Sequence, residues 1–143
     1  MGHGQEVGII GETKEDGLTV IYKFVDESPS QETRERFGWL TVISWKYDRT
    51  VRNGLPPEDT NKQMMALEHA IDGLEEAALC RHAYSRTGNG LKELVYYISD
   101  RDRFIGAFND ALSEHPRYPI EINFYEDREW EDFEKLRGLF RRN

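Results

Sequence analysis

The chain predicts an α+β fold. The expected architecture is a ferredoxin-like split βαββαβ antiparallel sheet with an extra N-terminal strand and a C-terminal helix. Three observations predict it. From Phe37 onward the apolar pattern runs strand, helix, strand, strand, helix, strand, and then one more helix. Gly88-Asn89-Gly90 joins the two middle strands, and Asn-Gly accepts the positive φ of a tight hairpin turn. The two runs that are apolar on both faces are the first and third strands of this unit, the central ones in that topology.

The elements follow in order. Residues 1–17 are rich in Gly and acidic residues and read either as a short strand on Val7, Ile9 and Ile10 or as a loosely held terminus. Leu18 to Val25, β-branched and aromatic, reads as a strand that extends an edge or pairs outside the core. Asp26 to Arg36 is polar, contains Pro29, and reads as a loop or a short helical turn.

Phe37 to Tyr47 is the strongest strand. Phe37, Trp39, Thr41, Ile43, Trp45 and Tyr47 are assigned to one face, with Leu40 and Val42 on the other. Asp48 to Pro57 is a loop with Asn53-Gly54 as its turn, and Pro57 opens a helix to about Ala77. Met64, Leu67, Ile71 and Leu74 recur on that helix at helical spacing. Leu79 to Thr87 is polar and reads as an edge strand, whereas Leu91 to Ile98 ends apolar and reads as central.

Asp100 caps a helix carrying Phe104, Phe108, Ala111 and Leu112. Pro119 to Tyr125 alternates Ile120, Ile122 and Phe124 with polar residues and reads as the last strand. Asp127 caps a terminal helix with Trp130, Phe133, Leu136 and Phe140 on one stripe. Arg141 and Arg142 sit where a helix dipole favours cations.

At 143 residues, with 38% hydrophobic and 12% aromatic residues, the chain is expected to form one domain with a real core. A net charge of -8 disfavours nucleic acid and anionic membrane surfaces and favours a basic protein partner. One cysteine, no visible secretory signal and no long apolar run point to a reducing, cytoplasmic setting.

The motifs that would carry chemistry are weak. His69 and Asp72 lie three apart on a helix but have no further ligand at metal-site spacing, so a polar helix face is expected and no metal. Cys80 and His82 share a strand face, roughly 7 Å apart along the chain, too far for thiol–imidazole contact. Cys80 therefore reads as a small buried hydrophobe. The acidic run Glu126, Asp127, Glu129, Glu131, Asp132 and Glu134 reads as a solvated helix face. The Gly88-Asn89-Gly90 segment lacks the Lys-Ser/Thr of a phosphate loop. No catalytic residue, cofactor or metal is expected.

The order of several segments resembles a bacterial family catalogued as domain of unknown function 695. These are the aromatic strand Trp39 to Trp45, Asn53-Gly54-Leu55-Pro56, the hairpin Thr87 to Glu93 with Tyr96-Tyr97 after it, Pro119-Ile120-Glu121, and Glu126-Asp127-Arg128-Glu129-Trp130. The resemblance covers roughly Leu18 to Leu139, with Arg128 standing where the family usually has proline. It implies an α+β domain without an established activity. It also implies a distant similarity to the ribonuclease E inhibitor B type of regulator, acidic domains that bind a protein.

The reading is therefore a non-catalytic protein-binding or regulatory domain, monomeric or homodimeric. A small-ligand-binding domain and an enzyme of unknown reaction are the alternatives. The residues singled out for binding are Trp39, Trp45, Tyr96, Tyr97 and Trp130 on the sheet and terminal helix, with Arg49 and Arg52 in the 48–57 loop.

Overall fold

A computed structural model describes residues 8–141. Positions 1–7, Val7 among them, and Arg142 lie outside the described residues. The elements are β1 (Gly8–Glu15), β2 (Leu18–Val25), α1 (Gln31–Arg36), β3 (Trp39–Lys46), α2 (Glu58–Glu76), β4 (Cys80–Gly88), β5 (Leu91–Ile98), α3 (Arg101–Ala111), β6 (Ile120–Glu126) and α4 (Glu131–Phe140). The fold is mixed α+β, with six strands in one sheet of order β1-β2-β4-β5-β3-β6 and every neighbour antiparallel.

The N-terminal segment forms a strand over its whole described length. Asp16 and Gly17, at φ 53° and 78°, make the two-residue turn that pairs Glu15 with Leu18 and Gly8 with Val25. β2 then pairs with β4, Phe24 opposite Tyr84 and Val20 opposite Gly88. This corrects the reading of β4 as an edge, because β2 covers one side and β5 the other. Its polarity is satisfied internally. The buried Arg86 guanidinium holds Glu15 at 2.7 Å and donates to the carbonyls of Gly88 and Leu91, and the Tyr84 hydroxyl donates to Asp132.

The sheet is packed on both faces. Ile43, Trp45, Leu94, Tyr96 and Ile98 meet Met64, Leu67, Ile71 and Leu74 of α2 and Phe104 and Phe108 of α3. On the opposite face Leu40, Val95, Tyr97 and Phe24 meet Trp130 together with Phe133 and Leu136 of α4. Strand alternation produces this division, since residues of one parity along β3 and β5 go to each layer. Phe37 is the exception. It precedes the strand, is separated from it by Gly38, and packs on the α4 side rather than with Trp39.

The helix starts follow the sequence closely. The Ser30 hydroxyl accepts from Thr33 N–H to cap α1, and Asp100 accepts from Arg103 N–H to cap α3. Asp127 accepts from the N–H groups of Glu131 and Asp132 and from the Tyr97 hydroxyl, so it both starts α4 and ties it to the sheet. No helix among the described residues is long and apolar enough to cross a membrane.

Candidate functional site

The helix layer formed by α2 and α3 is narrower than the sheet beneath it. It lies over the strands from β4 to β6, while β1 and β2 continue beyond it. Their side chains toward that layer therefore meet no helix, and Ile10 is left 71% exposed. Two hollows follow the uncovered strip. One, of about 370 Å³, is lined by Ile9, Ile10, Lys23, Val25 and His82. The other, of about 210 Å³, is lined by Ile21, Lys23, Leu55, Pro56 and Asn61, with Arg52 at its rim. Lys23 borders both, so they form one groove running along β2.

One wall of the groove is a single stripe of α2. Glu58, Asn61, Met65, Glu68, Asp72 and Glu75 recur at intervals of three and four, which places them on one helix face. Contacts locate that stripe: Glu68 pairs with Lys92 at 3.6 Å, and the Glu75 carboxylate accepts from the His82 backbone N–H at 2.8 Å. Met65 is 60% exposed on the same stripe. The groove thus has a floor on which Ile10, Ile21 and Val25 alternate with Glu12, Lys14 and Lys23, and an acidic wall, with Arg52 near Glu58 at the end where α2 begins.

A second hollow of about 420 Å³ lies at the end of the sheet between α1 and the start of β3, lined by Arg34, Arg36, Trp39, Glu126, Arg128 and Glu129 among others. Two of its three arginines are paired, and the third, Arg36, lies over the Phe37 ring. Arg34 bonds Glu134, Ser28 and the Glu129 carbonyl, and Arg128 pairs with Glu126 at 3.5 Å.

The residues singled out from the sequence are distributed rather than gathered. Trp39 is half-buried beside this end hollow, with the Arg101 guanidinium 5.2 Å from its ring. Trp45 is buried against Tyr118, and Tyr96 is buried with the edge of His82 against it. Tyr97 and Trp130 stack on each other under α4. Arg49 binds Asn89 at 2.7 Å and Asp16 at 3.6 Å, joining the 48–57 loop to two hairpin turns. Only Arg52 reaches the groove. The groove residues Ile10, Ile21 and Met65 were not singled out. The signal available for them was an apolar side chain on a strand or helix face that the helix periodicity leaves uncovered.

Groups able to do chemistry do not converge. Burial, helped by Glu75 and Asp72, pushes the Cys80 thiol up to about 12, so it is an inert thiol rather than a thiolate. Burial also raises Tyr96, Tyr97 and Tyr84, the last two further by their bonds to Asp127 and Asp132. Among the described residues no group of three or more His, Cys, Asp or Glu is placed to hold a metal.

No curated protein and no solved structure matches the chain. The model of a family of unknown function, DUF695, matches residues 14–136, and the chain belongs to that family.

Proposed function

We propose that this chain is a non-catalytic protein-binding domain with a regulatory role, and that its partner docks in the groove between α2 and the β1–β2 hairpin. The observation that carries this reading is the strip of sheet beyond the α2–α3 layer: Ile10, 71% exposed, and the half-buried Ile21 and Val25 present apolar surface there. The net charge of -8 favours a basic protein over nucleic acid or an anionic membrane. The resemblance to acidic bacterial regulators of the ribonuclease E inhibitor B type supports the same role. The single buried cysteine suits a reducing, cytoplasmic compartment.

The strand order supports reading β3 to β6 with α2 and α3 as a ferredoxin-like split unit. β6-β3-β5-β4 is the order of that unit, and β2 and β1 extend its β4 edge. The groove exists because of this extension. The end hollow beside Trp39 is the place a small ligand would take. Arg34 and Arg128 there already have carboxylate or carbonyl partners and Arg36 lies over the Phe37 ring, which favours the groove as the working surface.

Site-specific photo-crosslinking tests the proposal. A photoreactive residue at Ile10 or Ile21 is expected to capture a discrete polypeptide in cells. The same residue at Tyr125, exposed on the far edge of the sheet, is expected not to. Equal capture from all three positions, or none from the groove, overturns it.

A further inference from the structure

We infer that Lys92 is a carbonyl-reactive amine, and that it holds a small aldehyde or ketone as an imine in the hollow between β2, the 48–57 loop and the start of α2. This goes beyond the protein-binding reading and does not rest on it. Three observations carry it. The first is burial: Lys14, Lys23, Lys46, Lys62 and Lys135 are exposed, whereas Lys92 is 9% exposed. The second is the cavity. The Lys92 side chain lines the hollow of about 210 Å³, with Ile21, Leu55 and Pro56 as its apolar wall and Asn61 and Thr87 as its polar one. That volume lies below the roughly 300 Å³ at which drug-sized pockets begin, so the ligand has few atoms. The larger end hollow beside Trp39 has arginines but no amine among its lining residues. The third is a carboxylate, Glu68, 3.6 Å from the Lys92 Nζ and placed to exchange a proton with it.

Only a neutral amine attacks a carbonyl, and an exposed lysine at neutral pH is almost wholly protonated. Burial is the largest influence on Lys92. Glu68 opposes it and Lys23 adds to it, and the outcome is an ammonium held below the usual lysine value. The other charges about the hollow are mixed: Arg52 on the loop, Glu58 on α2 and Glu12 beside Ile21 on β1. They select no charge on the ligand, so the amine alone sets its class. In the reaction the Lys92 lone pair attacks the carbonyl carbon and a C–N bond forms. The nitrogen gives up a proton and the carbonyl oxygen gains one, making a carbinolamine. The C–O bond then breaks, the oxygen leaves as water, and the imine remains. Glu68 stands where it can carry the proton from nitrogen to the leaving oxygen. Amine and carbonyl become imine and water, with nothing oxidised or reduced.

The test treats the full chain with propanal and cyanoborohydride at neutral pH. The hydride reduces each imine to a stable propylamine, and peptide mass spectrometry locates the labelled lysines. Lys92 is expected to be labelled about fivefold or more faster than the exposed Lys62 in the same sample. Its rate is expected to saturate as propanal is raised, while that of Lys62 rises in proportion. Ile21→Phe, which puts a larger side chain into the hollow, is expected to bring Lys92 down to the rate of Lys62 and to leave Lys62 unchanged. Labelling of Lys92 no faster than Lys62, a rate that never saturates, or a lead that survives Ile21→Phe overturns the inference. Crosslinking from Ile10 reports on the protein partner separately, so its failure leaves this inference standing and the failure of labelling leaves the protein-binding reading standing.

Discussion

The indole of Trp130 lies flat on the ring of Tyr97, with centroids 4.0 Å apart and planes 6° from parallel. Trp130 adopts a left-handed backbone conformation, φ 57°, immediately before α4, and its Nε1–H donates to the Phe37 carbonyl at 2.8 Å. The Tyr97 hydroxyl donates to Asp127, which caps α4. Stacking, capping and one buried bond thus fix the start of α4 on the sheet, ahead of the Phe133 and Leu136 contacts further along it.

Trp130→Ala is expected to lower stability by about 3–5 kcal/mol, because it empties a buried aromatic site and leaves the Phe37 carbonyl without its donor. Tyr97→Phe keeps the stack and removes one bond, so a loss of about 1 kcal/mol is expected. Urea unfolding of the two variants checks the ratio. Equal losses would mean that the stack contributes little.

Acid should loosen α4 before it unfolds the core. Burial alone would raise Glu134, but bonds from Ser28 and Arg137, with Arg34 nearby, hold its carboxyl below the usual glutamate value. A depressed folded value means the stabilisation is present above the unfolded value, about 4.3. It is lost as pH falls through the folded value. Glu134→Gln is expected to cost roughly 1 kcal/mol or less at pH 7, since the group is partly exposed, and to flatten the acid limb of the stability profile. Thermal melts from pH 3 to 7 check this, and an unchanged acid limb would count against the network.

Glu93 should act in the opposite direction. Burial is the largest influence on it, with Asp132 and Glu15 adding like charge against the attraction of Arg86, and its carboxyl is raised. A raised folded value stabilises fully below the unfolded value and is lost as pH rises through the folded one. Glu93→Gln is therefore expected to be more stable than the parent at pH 7 and to lose that advantage near pH 4. Denaturation at the two pH values measures the crossover.

The strands and helices that carry the core were legible because they bury themselves by period. β3 and β5 are apolar on both faces, and α2 and α3 keep their apolar residues on one stripe. β4 was misread because Arg81, His82, Ser85, Arg86 and Thr87 look like solvent-facing residues, whereas Arg86 is buried on its ion pair with Glu15. β1 was only half legible. Its two glycines and alternating charges suit an edge strand, and one of them, Gly11, is needed because the Phe140 ring packs against its backbone. The groove was not legible at all. It depends on how many strands the α2–α3 layer covers, a property of the assembled sheet.

The central claim is that a protein partner occupies the strip beside α2. Calorimetric titration of the crosslinked partner, once purified, into the parent, Ile21→Asp and Leu139→Asp tests it most directly, Leu139 being an exposed leucine on α4, away from the groove. A loss of about tenfold or more for Ile21→Asp, with Leu139→Asp binding as the parent does, is the predicted result, since one buried apolar contact of this kind is worth on the order of 1.5 kcal/mol or more. Unchanged affinity for Ile21→Asp, or an equal loss for Leu139→Asp, would contradict it.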